Sequence, residues 1–166
     1  MSNTLTQTDT PPASNTGRTK SRRRIAREFA LQGIYQWRVA GSSTAFIEQQ
    51  LRESDDFKQS DVKYFVQLLH GTIQHSVALE EAIQPFLDRP LRELSPVEAA
   101  ILLLSAYELS HHLEIPYRAI INEAIELART YGGTDGHKYV NGVLDKLALQ
   151  LRGIEIEAHK QTKKQD

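Results

Sequence analysis

The sequence contains no cysteine, and only one methionine and one tryptophan. Without cysteine there is no disulfide framework, no thiolate metal centre and no thiol nucleophile. Long apolar runs are missing too. Nothing approaches the roughly 18 consecutive apolar residues of a membrane span, and the polar opening Met1–Ser14 lacks the apolar core of a secretory signal. The expected compartment is cytoplasmic, away from the membrane. There is no Walker phosphate loop, no glycine-rich dinucleotide fingerprint and no serine elbow. The histidines do not suit zinc: His111 and His112 are adjacent and cannot both face one ion from a regular helix, and His70 and His75 lie five apart. Carboxylate neighbours such as Asp55 and Asp56 fall in an expected loop, where solvation explains them. No catalytic residue, no metal ligand and no cofactor is expected, and the chain is read as a non-enzyme.

What is present is enough for one domain with tails, since 40% of 166 residues are hydrophobic. The net charge of −1 hides a division. Residues 1–27 hold Arg18, Lys20, Arg22, Arg23, Arg24 and Arg27 against Asp9 alone, a balance of +5, which leaves −6 on the rest. A positive arm on a mildly acidic body points to an anionic partner at the N-terminal end.

Residues 1–19 are rich in Ser, Thr, Asn and Pro and would bury little surface on ordering, so they read as a disordered tail. The polar stretch 153–166, behind Gly153, reads as a second, frayed tail, leaving a domain over 20–152. Within it the apolar period is helical throughout, with no strand-like alternation, which gives an all-α fold. A first helix from about Ser21 to Val39 carries Ala26, Ala30, Gly33 and Trp37 on one face and ends at Gly41. A short second helix, capped by Ser43 or Thr44, turns Phe46, Ile47 and Leu51 inward. Ser60 is placed to cap a long third helix reaching Pro85, with Leu69, Ile73 and Val77 on its inner face. Ser95-Pro96-Val97-Glu98 has the form of a capping box and predicts a buried helix through Leu109. Pro116 opens the next helix, for which Gly132-Gly133 offers a left-handed ending, and the last starts near Asp135 with Val140, Val143, Leu144, Leu147 and Leu151 inward.

The arginines are the most informative residues. Lys20, Arg23, Arg24 and Arg27 lie three or four apart and so share a helical face. They also sit at a helix N-terminus, where the macrodipole disfavours each cation by about a few tenths of a kcal/mol. A solvated basic cap is one explanation, and a phosphate backbone that compensates the charge is the other. Tyr35 follows Arg24 by eleven residues, a rotation of roughly 20° on an ideal helix, and either stacks a base or packs at the core edge. Thr134–Lys138 has two readings, a second anion site, where free amides open the last helix and Lys138 and Tyr139 follow, and an ordinary turn in which Asp135 caps that helix itself.

The run from Pro116 to Ala128 (PYRAIINEAIELA) and the run from His137 to Lys146 (HKYVNGVLDK) resemble the C-terminal half of the NusB family. Ala26-Arg27-Glu28, Tyr35-Gln36-Trp37, Glu98 and Tyr107-Glu108-Leu109 extend the likeness over roughly residues 20–152. The resemblance implies a compact bundle of about seven helices, counting a short one near Leu87–Leu94. It also implies binding of single-stranded boxA RNA with the help of the ribosomal protein NusE, and entry into an RNA polymerase antitermination complex. Arg22, Arg23, Arg24 and Arg27 would then hold RNA, assisted by Tyr139, while Tyr35, Phe86 and Glu98 fall at or near the RNA and NusE surfaces, with Phe86 and Glu98 assigned to the partner. Lys20, from its spacing to the arginines, and Lys138, from the start of the last helix, complete the expected RNA contacts. Two departures stand out: the longer N-terminal tail, and Tyr139 where relatives commonly have phenylalanine. Two alternatives remain at this level, a helical recognition module of the kind attached to RNA cytosine methyltransferases, and a homodimer that covers the RNA surface.

Overall fold

The run from Ala99 to Leu109 is apolar on every side except at Ser105, Tyr107 and Glu108, and a helix of that kind can only lie inside. In the computed structural model, which describes residues 20–164, that run belongs to the central helix of the protein, with Ile101, Leu102, Leu103 and Leu104 fully buried. Around it stand the other helices in chain order: α1 (Arg22–Ala40), α2 (Thr44–Arg52), α3 (Val62–Gln74), α4 (Ser76–Ile83), the central α5 (Pro96–His111), α6 (Tyr117–Tyr131), α7 (Gly136–Leu151) and α8 (Gly153–Lys164). Helices α1, α3, α4, α6 and α7 all pack on α5. The fold is all-α, and among the described residues there is no strand. The tail expected over 1–19 lies outside the described residues.

The local signals explain most boundaries. Ser21 caps α1 by accepting from the Arg24 amide, and Gly41 ends it in the left-handed region, φ 67°, donating to the Trp37 carbonyl. Ser43, rather than Thr44, caps α2. Ser95 accepts from the Glu98 amide and Pro96 occupies the first turn of α5. The small stripe of α1 does admit a neighbour: a Cβ on Gly33 would stand 2.6 Å from Leu69 and 3.0 Å from Ile47.

Several expectations fail for identifiable reasons. The third helix is capped by Asp61, because the Ser60 hydroxyl is used to donate to the Phe57 carbonyl, closing a short 3-10 turn over Asp55–Gln59. That helix also does not continue to Pro85. It breaks at His75, whose backbone leaves the helical region, and restarts as α4 with Leu79 and Ile83 inward, leaving Val77 72% exposed. Phe46 is likewise half-exposed, the inner face of α2 being carried by Ile47. Gly132 is extended rather than left-handed, and Leu91–Glu93 forms only a single 3-10 turn where a short helix was expected.

The stretch read as a frayed C-terminal tail forms α8 over Gly153–Lys164. Its anchor is polar. The Arg152 guanidinium is 4% exposed and donates to the carbonyls of Leu109, His112 and Ile115, so one side chain satisfies the open carbonyl end of α5 and the turn after it. It pairs as well with Glu155 at 2.6 Å, and Ile156 is buried behind it.

Candidate nucleic-acid interface

Because Ser21 caps α1, all the clustered cations fall in or beside its first two turns. Their side chains reach different partners. Lys20 is exposed and pairs with Glu28 at 2.8 Å, which raises its pKa, the hydrogen bond outweighing partial burial. Arg22 donates to the Ser60 carbonyl at 3.1 Å. Arg23 lies over the Tyr64 ring, 4.8 Å from its centroid, with the Asp61 carboxylate at 3.9 Å. Arg24 turns toward α6 and takes both oxygens of Glu123, at 3.0 and 2.8 Å, and this hydrogen bonding raises its pKa.

Arg27 departs from the expectation of an exposed basic stripe. It is 6% exposed and donates to Glu108 at 2.8 Å and toward the Tyr64 hydroxyl, which itself donates to the same carboxylate. Burial alone would lower the Arg27 pKa, but the charge of Glu108 reverses the sign and leaves it raised. The Tyr64 hydroxyl is pushed up, first by burial and then by Glu108. This closed triad fixes the Tyr64 ring beneath Arg23. The compensation of the helix-start charge, expected to come from outside, is therefore supplied in part by the protein's own carboxylates.

The remaining candidates form a second group. Arg27 meets Glu108 near the C-terminal end of α5, while Val97 and Glu98 begin that helix, so the two ends are about 15 Å apart. Tyr35, 40% exposed, belongs to the far end: with Leu31, Val39, Val97 and Tyr131 it lines an apolar groove of about 410 Å³. Beside it is a second concavity of about 370 Å³ whose walls include Arg89, Glu98, Thr134 and Tyr139. The Tyr139 hydroxyl donates to Asp88 at 2.9 Å, and the bonds from Arg89 and Tyr139 hold the Asp88 carboxyl below its ordinary range. The expected capping box is half formed. Glu98 makes no hydrogen bond back to Ser95; its carboxylate instead lies against Gly136, at the positive start of α7, where any Cβ would overlap it. Asp135 makes no side-chain cap and instead pairs with exposed Lys138 at 3.4 Å. Phe86 is half-buried against the core.

Reasoning from spacing found the cations but missed the residues that hold them, Tyr64, Glu108 and Glu123, and also Asp88 and Arg89. One signal was available: Glu108 is the single carboxylate inside the apolar part of α5, and a buried carboxylate demands a buried donor. Among the described residues no group of three or more His, Asp or Glu is placed to hold a metal ion, and no helix is long and apolar enough to cross a membrane.

Comparison with known proteins agrees with this architecture. The chain is 66% identical over 132 residues to the transcription antitermination protein NusB of Nitrosospira multiformis, covering 80% of this chain and 84% of that protein. It is 58% identical over 155 residues to the protein of the same name from Nitrosomonas eutropha, covering 91% and 93%. Among solved structures, T. maritima NusB superposes with a TM-score of 0.67 at 29% identity, covering 79% of this chain and 92% of that one. A NusB chain crystallised with NusE and double-stranded RNA gives 0.70 at 24% identity, over 76% and 96%, and supports the fold. The NusB family model matches residues 24–149, and with relatives this similar over most of their length, the chain belongs to the NusB family.

Proposed function

We propose that this protein is an RNA-binding transcription antitermination factor: together with NusE it binds the boxA element of nascent ribosomal RNA transcripts and helps RNA polymerase read through terminators. The observation that carries this is identity of up to 66% with proteins named for antitermination, over most of their length. The function requires no reaction chemistry of its own, and the protein is read as a non-enzyme acting in the cytoplasm, where nascent transcripts are made.

Residues 20–152 are the binding domain. Lys20, Arg22, Arg23 and Arg24 provide the phosphate contacts, and Tyr35, Lys138 and Tyr139 extend the track toward the far end of α5, where Glu98 and Phe86 meet NusE. Arg27 contributes from below, by holding Tyr64 under Arg23. The test is fluorescence anisotropy with a labelled boxA single strand. Replacing Arg22, Arg23 and Arg24 together by alanine should cost at least tenfold in affinity while leaving helical content intact. For the unaltered protein, four phosphate contacts should give a log–log salt slope of roughly −3. Unchanged affinity in the triple variant, or a flat salt response, would remove this face from the RNA site.

A further inference from the structure

The protein's own partners for the α1 cations differ in kind. Glu108 is buried and committed to both Arg27 and Tyr64, which makes it part of the core. Asp61 caps α3 and approaches Arg23 only at 3.9 Å. Glu28 sits on the same helix as the cluster. Glu123 comes from α6, 99 residues along the chain from Arg24, places both oxygens on that guanidinium, and makes no other hydrogen bond among the described residues. Neither helix needs the pair for its backbone bonding. The two side chains are 38% and 20% exposed, so water and a ligand can reach them.

A carboxylate and a phosphodiester offer the same two-oxygen edge to the guanidinium fork. We propose that Glu123 is an internal competitor of RNA phosphate at Arg24, a counter-charge that an incoming strand must displace and that lowers the affinity of the basic face for RNA of any sequence. The inference rests on the reading of this face as the RNA site. A partly exposed ion pair is weak enough to exchange, so Glu123 tunes the face without closing it. Once displaced, its charge stays beside the bound strand and repels it. Phosphate contacts alone then hold a strand less firmly, and productive binding leans on base contacts and on the protein partner. The same logic explains why Arg24 is the cation affected: the partners of Arg22 and Arg23 are a carbonyl, an aromatic face and a distant, already committed carboxylate.

The experiment is a double-mutant cycle on the full chain, read by anisotropy with a short labelled oligouridylate across a salt series, with circular dichroism confirming the fold of each variant. Glu123→Gln should tighten binding by about two- to fivefold, the range of a partly exposed ion pair. The gain should be largest at low salt and shrink as screening rises. In the Arg24→Ala background the same substitution should give little of that gain, because there is no guanidinium left to contest. Equal gains in both backgrounds would show only a general field effect and overturn the proposal. Weaker binding by Glu123→Gln would do so as well, by making Glu123 a positioning residue for Arg24. If neither Arg24→Ala nor the triple replacement of Arg22, Arg23 and Arg24 weakened binding, the RNA reading of the face would fail, which is distinguishable from failure of the competition alone.

Discussion

Arg24 and Arg27 are three positions apart on one helix and meet different solvents. Arg24 is half-exposed on Glu123, and Arg27 is enclosed with Glu108 and Tyr64. Arg27→Ala should therefore destabilise the fold by about 3–5 kcal/mol, since it strands a buried carboxylate, whereas Arg24→Ala should change stability by less than about 1 kcal/mol. Urea denaturation separates the two, and equal midpoints would refute the buried triad. The positions of the cations were legible in the sequence, but their orientation was not. Three- and four-residue spacing defines a face without saying whether it meets water, and Arg27 stands one residue from Ala26, inside the core-facing arc of α1. Its partner is 81 residues away, beyond the reach of any local pattern. A titrating residue gives a second test. His111 stacks on Tyr107 with His75 4.6 Å away, and partial burial together with that neighbour lowers its pKa from the ordinary 6.5. The unfolded chain then takes up the proton first, so the stability His111 contributes is complete above 6.5 and lost as pH falls through and below it. Melting temperature should drop over that window, and His111→Gln should reduce the drop. An identical pH profile in the variant would show that His111 has no part in it.

At the scale of elements, α5 was the most legible because every level of reasoning agrees on it: a serine cap, proline in the first turn, and apolar side chains all round. Ser95→Ala should cost about 1 kcal/mol by freeing the Glu98 amide, and RNA affinity below the melting transition should not change. Loss of RNA binding at undiminished stability would instead assign Ser95 to the binding surface. The illegible elements share a cause, which is that a side chain thought to act locally is engaged elsewhere. Ser60 closes the turn over Phe57, so Asp61 takes the cap; Glu98 faces Gly136, so the capping box stays half formed. The break at His75 follows no proline or paired glycine, and its tertiary setting, with the His75 ring bonded to the Gly71 carbonyl and tilted against Tyr107, is invisible in a hydrophobic pattern. Helix α8 was missed because its attachment is mostly polar, through Arg152 and through Glu155, which accepts from the Tyr117 amide, with Ile156 the one buried apolar side chain, too little for an apolar stripe.

For the molecule as a whole, the candidates lie in two groups at opposite ends of α5, the arginines at one end and Tyr35, Glu98, Lys138 and Tyr139 at the other. The arginine group by itself reads charge and not sequence, since phosphate contacts carry little base information. Discrimination then depends on the far group and on what binds beside it. If NusE docks on Glu98 and Phe86 while RNA runs from Arg24 toward Tyr139, the two ligands share a border, and their affinities are coupled. Linkage makes the coupling symmetric: whatever factor NusE adds to RNA affinity, RNA must add to NusE affinity, and about 1 to 3 kcal/mol would be ordinary for such a pair. Glu98→Lys puts a cation at the start of α7, where the helix field opposes it, and reverses the charge offered to the partner. It should weaken the ternary complex more than it weakens RNA binding by the protein alone. Titrating labelled boxA RNA with and without saturating NusE, and NusE with and without saturating RNA, at one fixed salt concentration, measures both arms. Equal RNA affinity in the presence and absence of NusE would show that the two ends of α5 bind independently, and the cooperative mechanism would not hold for this protein.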